Sequence, residues 1–507
     1  MLYVCLIVAF GSIILRDQAG PRPPFASLGL SVEPGLSLWL VPALHAFLAL
    51  VVHAASRRAA ARIERTNRLT PVEELDSVIA ASRIAGAMLT AASVVMFGFL
   101  DAIRSVTGDL ILVDESLALA PFLLLVVTGW WSSYPVERTV RDSTLIRDLD
   151  EGRPIYTPPS RGAYVWAQTR HQLFILLVPM VLLTLWGESV EQLVSLAQTQ
   201  AEAQATDGVH RLLAPIGRFF AARSTTAELV YLAVKLAGLL LIVAAAPLLI
   251  RRVWDTVPLQ SGSVADGLLR MCRQQGVKVR RLLVWRTGGT MINGAVLGVV
   301  GGARYILLTD ALLDFLPNHY VQAVMAHEIG HVRCRHVPWL TATLFAASGV
   351  SLVAADLVLR WLLGVTINQV ASPIQVSACA AALAVAVGAF GYVSRRFEWQ
   401  ADAFAVKHIS AHTPPTDDPA AAWAPSATVT RPAIAAMTGA LETVAVANHL
   451  PRDRFTFRHG SIRTRIDRLL ALDGVPLARL PIDRSAARLK LAVAVGSVLV
   501  LAAAFGL

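Results

Sequence analysis

Charged residues are scarce in this sequence of 507 residues, at 16% of the total, whereas hydrophobic residues make up 55%. A soluble domain is normally about a quarter charged. The apolar residues also come in long blocks, and such blocks exclude an ordinary soluble fold. The sequence therefore predicts a mainly α, polytopic helical membrane protein that is surrounded by a lipid bilayer.

Cysteine and lysine are also scarce, with four residues of each. The cysteines are scattered, and Cys5 and Cys379 lie in apolar segments, which argues against a disulfide framework. The net charge of +10 therefore rests on arginine. Arginines concentrated in loops are typical of the positive-inside bias of membrane proteins, so we expect no nucleic-acid partner.

Nine apolar segments are predicted to span the membrane, although the first, fourth and fifth are short for a hydrocarbon core of about 30 Å. The first segment lacks a basic start and a clear cleavage site, so we interpret it as an anchor and not as a signal peptide. The segments are Leu2–Leu15, Leu36–Ala54, Ile84–Ile103, Leu117–Trp131, Leu173–Trp186, Leu229–Ile250, Leu340–Leu363, Ile374–Val393 and Leu489–Leu507.

Arginine is concentrated after the second, fourth, sixth and eighth segments and is rare after the third and seventh. The positive-inside rule then predicts an alternating topology with the N-terminus in the cytoplasm and the C-terminus outside. Only four of the 45 basic residues are lysine, which is typical of a GC-rich bacterial genome. The expected location is therefore the bacterial inner (plasma) membrane.

The predicted soluble part of the chain consists of two of the stretches between spans, both on the cytoplasmic side. The predicted organisation is an N-terminal membrane region of about five spans at 1–226, a span at 227–250, the first part of a domain at 251–339, two spans at 340–394, the second part of that domain at 395–487, and a last span at 488–507.

His327, Glu328 and His331 form an H-E-x-x-H motif at the end of an amphipathic run. Two histidines four residues apart lie one above the other on one helix face, so both imidazoles can reach one zinc ion. The glutamate can take a proton from a water that the zinc activates. The pattern indicates metal-assisted hydrolysis, usually of a peptide bond.

A catalytic zinc ion needs a third protein ligand and one open position. The best candidate is Glu398, which follows the eighth segment on the same side of the membrane as the motif. Asp402, one turn further on the same helix face, could hold the second N–H of a ligand histidine. The spacing alone also fits a solvated helix face with interfacial charges.

The segments around the motif predict a small β-sheet with helices. Val277–Trp285, Asn293–Val300 and Arg304–Leu308 have the pattern of strands, and Asn318 is placed to cap the helix of the motif. His412–Pro432, rich in Pro, Ala and Thr, predicts a mobile loop. Further helices are predicted over Ser263–Gln275, from Thr309 or Asp310 to Pro317, and over Arg395–His408, Ala433–His449 and Ser461–Leu472.

Four motifs follow one another over roughly residues 255–472, with two membrane segments between the second and the third. They are Asn293-Gly294-Ala295 with Arg304 to Leu313, Ala326 to His331 with His336 five residues on, Ser394 to Ala405 around Glu398 and Asp402, and His459-Gly460-Ser461 with Arg465, Ile466 and Leu469. Together they resemble the zinc metallopeptidase family of the heat-shock protease HtpX and the zinc-dependent (type I) CAAX prenyl protease. Gly460 stands where that family has a proline.

The resemblance implies a zincin-like α+β peptidase domain, a small β-sheet plus the H-E-x-x-H helix, at the cytoplasmic face. It implies one Zn²⁺ per chain, with His327, His331 and Glu398 as its ligands. Glu328 is then the general base, and Asp402 accepts a hydrogen bond from the second ring N–H of a ligand histidine.

Four further features carry weaker expectations. His459 and Arg465 are candidates to stabilise the oxyanion or orient the ligands, although a basic helix on an anionic membrane surface is an open alternative. His336 is interpreted as structural. The strand that begins with Asn293, Gly294 and Ala295 could be an exposed edge where an extended peptide substrate pairs.

The expected function is that of a membrane-embedded zinc metalloendopeptidase, which hydrolyses peptide bonds of membrane or unfolded proteins in quality control or processing. The alternatives are a CAAX-type prenyl-peptide protease and an inactive scaffold or sensor with a peptidase-like domain. An intramembrane protease of the site-2 type is disfavoured, because polar residues and not apolar spans flank both the H-E-x-x-H motif and Leu472-Asp473-Gly474.

Overall fold

The computed structural model is mainly helical, with one four-stranded sheet. It divides into two compact units, the first within residues 1–143 and 158–254 and the second within 144–157 and 255–507. The residues that the structure describes are 2–18, 33–66, 68, 70–108, 110–150, 152, 155–202, 208–222, 224–289, 291–298, 301–370, 372–412, 427–448 and 450–504.

The regular elements of the first unit, within its described residues, are all helices, as its apolar runs predict. A π-helical turn at Thr169–Leu173 joins two of the helices. The helices are α1 (Leu2–Gln18), α2 (Pro34–Thr66), α3 (Thr70–Val95), α4 (Phe99–Thr107), α5 (Val113–Asp150), α6 (Arg161–Gln168), α7 (Phe174–Glu202), α8 (Gly208–Ala221) and α9 (Thr225–Val253).

One predicted segment is interrupted. The prediction of a single span over Ile84–Ile103 is wrong, because α3 ends at Val95 and α4 begins at Phe99. Gly98 between them has a φ of 68°, a left-handed conformation that glycine adopts without steric penalty. The apolar stretch of this span therefore lies earlier in the chain, within α3.

Eight helices of the described residues are long and apolar enough to cross a membrane. Each overlaps one of the predicted segments. The remaining prediction, the first segment, corresponds to a shorter apolar helix, Leu2–Arg16. The chain is a polytopic helical membrane protein. The eight are Gly35–Thr66, Thr70–Val95, Val113–Asp142, Arg161–Glu202, Thr226–Val253, His336–Leu363, Pro373–His412 and Pro481–Ala503.

The sheet belongs to the second unit and has the order β1-β2-β4-β3. Its strands are β1 (Thr256–Pro258), β2 (Arg281–Trp285), β3 (Gly294–Leu297) and β4 (Tyr305–Thr309). β2 and β4 are parallel, and the other two pairs are antiparallel. β4 is buried at every residue. β3 pairs only with β4, so it is an edge strand, as predicted, although it is shorter than the sequence suggested.

The helices of the second unit surround this sheet and continue into three of the long apolar helices. Two 3₁₀ turns, at Gly301–Ala303 and Ile367–Gln369, join neighbouring elements. The helices are α10 (Ser263–Gln274), α11 (Asp310–Phe315), α12 (Asn318–Arg333), α13 (His336–Leu363), α14 (Ser372–His412), α15 (Arg431–Ala447), α16 (Ile462–Leu470) and α17 (Pro481–Ala504).

The start of α12 differs from the prediction that Asn318 caps it. Asn318 is already helical, and Pro317 is the capping residue, with no side-chain hydrogen bond. The carbonyl of Pro317 accepts from the N–H groups of Tyr320 and Val321. A capping side chain must come from a residue outside the helix, so Asn318 cannot serve. Thr309 does cap α11, since its Oγ1 accepts from the Leu312 N–H.

The core of the second unit lies between the sheet, α12, α14 and α15. Its buried side chains include Ile306 and Leu308 of β4, Ala326 and Ile329 of α12, and Val406 of α14. α13 packs against α14 and α17. α14 runs without interruption from an apolar half into the polar helix predicted after the eighth segment.

The mobile loop predicted over His412–Pro432 falls mainly on residues 413–426, which lie outside the described part of the chain. Its described end is ordered, because Thr428 forms a β-bridge with Pro476. α15 then begins at Arg431, where Thr430 Oγ1 accepts from the Ala433 N–H.

Candidate metal centre

Helix α12 places the two motif histidines on one face. His327 and His331 are one turn apart, and their Nε2 atoms lie 3.2 Å from each other. His327 is buried and His331 is partly buried. Two imidazoles that direct the same ring nitrogen at one point are arranged as ligands of a single ion.

Helix α14 brings Glu398 to the same point. One carboxylate oxygen lies 3.6 Å from the Nε2 of His327, and the other lies 3.6 Å from the Nε2 of His331. The possible ligand atoms of these three residues all fall within 4.8 Å of one another. Two imidazoles and one carboxylate form a donor set that suits zinc.

The close approach of α12 and α14 depends on Gly330. A Cβ atom at this position would lie 3.1 Å from Phe404 and 3.2 Å from the Cα of Ala401. Such distances are tighter than ordinary van der Waals contact, so a larger residue would push the helices apart. The glycine within the H-E-x-x-H motif therefore helps to bring Glu398 near the histidines.

Behind His327 lies a buried pair of charged residues. Asp402 Oδ1 is 2.8 Å from the Nδ1 of His327. Arg465 of α16 donates from Nε to Asp402 Oδ2 at 2.8 Å and from Nη2 to Oδ1 at 2.6 Å. Burial alone would lower the pKa of His327, but Asp402 and Glu398 raise it to about 10.

Next to the Nδ1 of His331 lies a chain of hydrogen-bonded side chains, which begins with the neutral pair His336 and Gln400 and ends at Asp483. The Nδ1 of His331 is 2.9 Å from the Nδ1 of His336, whose Nε2 is 3.0 Å from Gln400 Oε1. Gln400 in turn donates from Nε2 to Asp483 Oδ1 at 2.6 Å. His336 is fully buried and stacks on Phe397, with ring centroids 4.3 Å apart and planes 7° apart.

Glu328 lies beside the histidines at the side of the edge strand. A Cβ atom at Gly294 of β3 would lie 3.8 Å from the Cγ of Glu328, so the strand passes next to this carboxyl group. Burial raises the pKa of Glu328 to about 7. A carboxylate with a pKa near neutrality is suited to general base catalysis. Asn293 and Ala295 flank Gly294 in the same stretch of chain.

His459 contacts the site from a tight turn. Its Nδ1 lies 2.9 Å from Glu398 Oε2, and its side chain is 48% exposed, so it is open to solvent on one side. Thr456 and Gly460 close the turn by pairing their backbones. Gly460 has a φ of 77°, which proline cannot adopt because its ring fixes φ near −65°. This conformation therefore excludes a proline at the position where the resembling family has one.

The structure thus brings nearly all the residues singled out in the sequence to one place. Arg465 contacts Asp402 and approaches Glu398, with 3.8 Å between Nη1 and Oε2. Sequence reasoning missed Gln400 and Asp483. Gln400 stands within the third motif, two residues after Glu398, but a glutamine there carries no metal-binding signal. Asp483 follows every motif in the chain, so spacing alone could not identify it.

The fold and the site define a class of protein, a polytopic helical membrane protein with a candidate metal centre of two histidines and one glutamate. Residues 258–472 match Peptidase family M48. This match covers less than half of the chain, and nearly the same residues as the family resemblance of the motifs.

Two curated relatives match part of the chain. The Plastoglobule-localized metallopeptidase 48, chloroplastic, of Arabidopsis thaliana is 32% identical over 80 residues, 14% of this chain and 23% of that protein. The Protease HtpX homolog of Aeropyrum pernix is 30% identical over 122 residues, 24% of this chain and 37% of that protein. The chain thus spans less than two fifths of the length of either relative.

A solved structure also matches the chain over most of its length. The crystal structure of S. mikatae Ste24p covers 85% of this chain and 98% of its own, with 12% sequence identity and a TM-score of 0.35. At this level the similarity carries no argument about the fold or the function.

Proposed function

We propose that this protein is a zinc-dependent metalloendopeptidase that cleaves polypeptides at the membrane surface. The observation that carries the proposal is the convergence of His327, His331 and Glu398 on one point, with Glu328 beside it. The M48 domain and the eight long apolar helices support the peptidase and membrane parts of the proposal.

In this proposal His327, His331 and Glu398 hold one zinc ion. Zinc, when bound, supplies a Lewis acid that activates water and polarises a carbonyl group. Glu328 takes the proton from the attacking water and passes it to the leaving amine. Asp402 holds the Nδ1 side of His327, and Arg465 neutralises and orients Asp402. In the same proposal His459, whose exposed side chain lies beside Glu398, stabilises the oxyanion.

The proposed substrate is an extended polypeptide. β3 is an edge strand next to Glu328, and its outer side can pair with a peptide backbone. Asn293, Gly294 and Ala295 would line that contact. Such recognition relies on the main chain and selects for unfolded segments, which fits quality control or processing of membrane and misfolded proteins. The similarity to a Protease HtpX homolog supports the protease part of this proposal.

The proposed location is the bacterial inner membrane, with the active site on the cytoplasmic side. This orientation rests on the arginine-rich loops and the positive-inside rule. A CAAX-type prenyl protease remains the second candidate, because the helix of Glu398 and Asp402 resembles that enzyme. An inactive scaffold or sensor with an intact ligand set is the third.

The test compares detergent-purified wild-type protein with Glu328→Gln on an unfolded model substrate at matched zinc content. Glu442→Gln serves as the control, since Glu442 pairs with Arg452 in the same unit and lies outside the proposed site. We expect zinc-dependent cleavage by the wild type and the control, and none by Glu328→Gln. Zinc-loaded Glu328→Gln protein that still cleaves would refute the role of Glu328.

Equal absence of cleavage by all three proteins, with zinc bound, would favour the inactive scaffold or a narrow substrate range. A farnesylated peptide assayed in parallel separates these two results. Cleavage of that peptide alone would establish the prenyl-protease alternative.

A further inference from the structure

The ring nitrogens of His331 face two different environments. Its Nε2 points to the proposed ion, and its Nδ1 lies 2.9 Å from His336 Nδ1. An imidazole can bind a metal only through a nitrogen that carries no hydrogen. The group that His331 contacts at Nδ1 therefore decides whether its Nε2 is available, and that group is another histidine with two possible hydrogen positions.

The direction of the hydrogen bonds can be traced from the far end of the chain. Carboxylate oxygens accept hydrogen bonds, and Oδ1 of Asp483 is the atom that faces Gln400. Gln400 must therefore turn its amide nitrogen towards Asp483, at 2.6 Å, and its carbonyl oxygen towards His336. A carbonyl oxygen also only accepts, so the Nε2 of His336 has to carry a hydrogen, at 3.0 Å.

The same logic extends to the proposed zinc ligand. A neutral imidazole with its hydrogen on Nε2 has a free lone pair on Nδ1. His336 is fully buried, its Nε2 partner is an uncharged amide, and its ring stacks on Phe397. These surroundings favour the neutral form. His336 Nδ1 then accepts a hydrogen bond from His331 Nδ1–H, and the lone pair of His331 is left on Nε2.

We propose that Asp483, Gln400 and His336 form a positioning relay that holds His331 in the tautomer able to bind zinc. This inference rests on the proposed function, because it assumes that His331 is a ligand. The three are positioning residues, since none of them contacts the ion or the substrate. Asp483 lies after residue 472, where the M48 match ends, so the relay makes the last apolar helix, α17, part of the metal site.

Other contacts of α17 support this role. Lys490 donates to the carbonyl of Cys334 at 2.7 Å, and Cys334 is the residue at which α12 ends. Ala486 packs in one buried cluster with Val393 and Phe397 of α14. The start of α17 therefore contacts both helices that carry the proposed ligands, and Asp483 is held at a fixed place relative to Gln400.

The test measures zinc affinity of the full-length protein in detergent, by competition of Zn²⁺ with a chromophoric chelator. Gln400→Met keeps the shape of the side chain and removes both hydrogen bonds, and we expect a loss of about 10–100-fold in zinc affinity. The control is Gln275→Met. Gln275 Nε2 lies 2.8 Å from His408 Nδ1, so this variant removes a Gln–His bond of the same unit away from the site, and its zinc affinity should match that of the wild type.

Asp483 tests the far end of the relay. Asp483→Ala removes the acceptor, so the Gln400 amide can turn over, and we expect zinc affinity to fall by a smaller factor than in Gln400→Met. Asp483→Asn keeps an acceptor oxygen, and it should restore the affinity. Absorption bands of Co²⁺ bound in place of zinc give an independent readout, because they report the geometry of the ligands. They should shift in Gln400→Met and stay unchanged in Gln275→Met.

The outcomes separate the possible failures. Folded Gln400→Met protein with wild-type zinc affinity would overturn the relay, and so would an equal loss in Gln275→Met, which would indicate general destabilisation. Unchanged affinity in Asp483→Ala would remove α17 from the relay. Wild-type protein that binds no zinc would overturn the proposed function itself, and the relay with it.

Discussion

The two sides of the candidate metal centre hold equivalent histidines by different chemistry. His327 is backed by Asp402 and Arg465, which are buried and charged, whereas His331 is backed by His336 and Gln400, which are buried and neutral. A buried charged pair depends on both partners, because losing one leaves an uncompensated charge. A neutral chain can lose a member at a smaller cost in stability, but it still fixes a tautomer. We therefore expect substitutions on the charged side to reduce mainly stability, and substitutions on the neutral side to reduce mainly metal affinity.

The largest effect is expected on the charged side. Asp402→Ala leaves the buried Arg465 guanidinium with only its longer contact to Glu398, and it should destabilise the fold by about 3–5 kcal/mol. Thermal unfolding in detergent measures the loss, as a large decrease in Tm. The control is Asp473→Ala, which breaks an exposed pair with Arg431 and should leave Tm almost unchanged, because solvent screens such a pair. Equal shifts in the two variants would contradict the assignment of a critical buried pair.

A conservative substitution on the charged side separates the effect of charge from that of hydrogen-bond geometry. Arg465→Lys keeps the positive charge but cannot form the two parallel hydrogen bonds to Asp402. We expect a destabilisation of about 1.5–3 kcal/mol, the contribution of one hydrogen bond to a charged group. Tm again measures it, with Arg431→Lys as the control on the exposed pair. If Arg465→Lys unfolds at the wild-type temperature, charge alone and not bidentate geometry supports Asp402.

On the neutral side we expect a smaller loss of stability and a large loss of zinc affinity. His336→Phe keeps an aromatic ring against Phe397 and leaves no buried charge, so stability should fall by only about 1–3 kcal/mol. Zinc affinity should fall by about 10–100-fold, because His331 loses the partner of its Nδ1. His408→Phe is the matched control, since His408 is also buried and pairs with a glutamine. A similar loss of zinc affinity in both variants would contradict the comparison.

The charged side could be predicted from the sequence, and the neutral side could not. Glu398 and Asp402 share one helix face at a spacing of four residues, which is a local property of the chain. Asp402 and Arg465 carry opposite charges within motifs that occur together. Gln400 lies on another face of the same helix, and its partner Asp483 comes from a helix about 80 residues away. Only the packing of α14 against α17 brings them together.

The sequence also predicted some parts of the fold and missed others. Periodicity located the long apolar helices and the edge strand β3, because both depend on patterns within a few residues. It failed at Gly98, where a single left-handed glycine splits an apolar run, and at Pro317, which displaces Asn318 from the cap. Hydropathy counts apolar residues, and it does not detect the backbone conformation that ends a helix.

The smallest effect in this comparison is expected at Lys490. Its Nζ donates to the carbonyl of Cys334, at the end of α12, where a positive charge also interacts favourably with the helix dipole. Lys490→Met removes this bond but retains most of the apolar stem, so we expect a loss of about 1 kcal/mol, seen as a small decrease in Tm. Lys490→Arg keeps a donor and should restore stability.

Zinc affinity should stay at the wild-type value in both variants, because Lys490 supports the backbone of α12 and contacts no proposed ligand. Suppose that Lys490→Met weakens zinc binding as much as His336→Phe does. The neutral side would then act by holding the end of α12 in place, and it would not control the tautomer of His331.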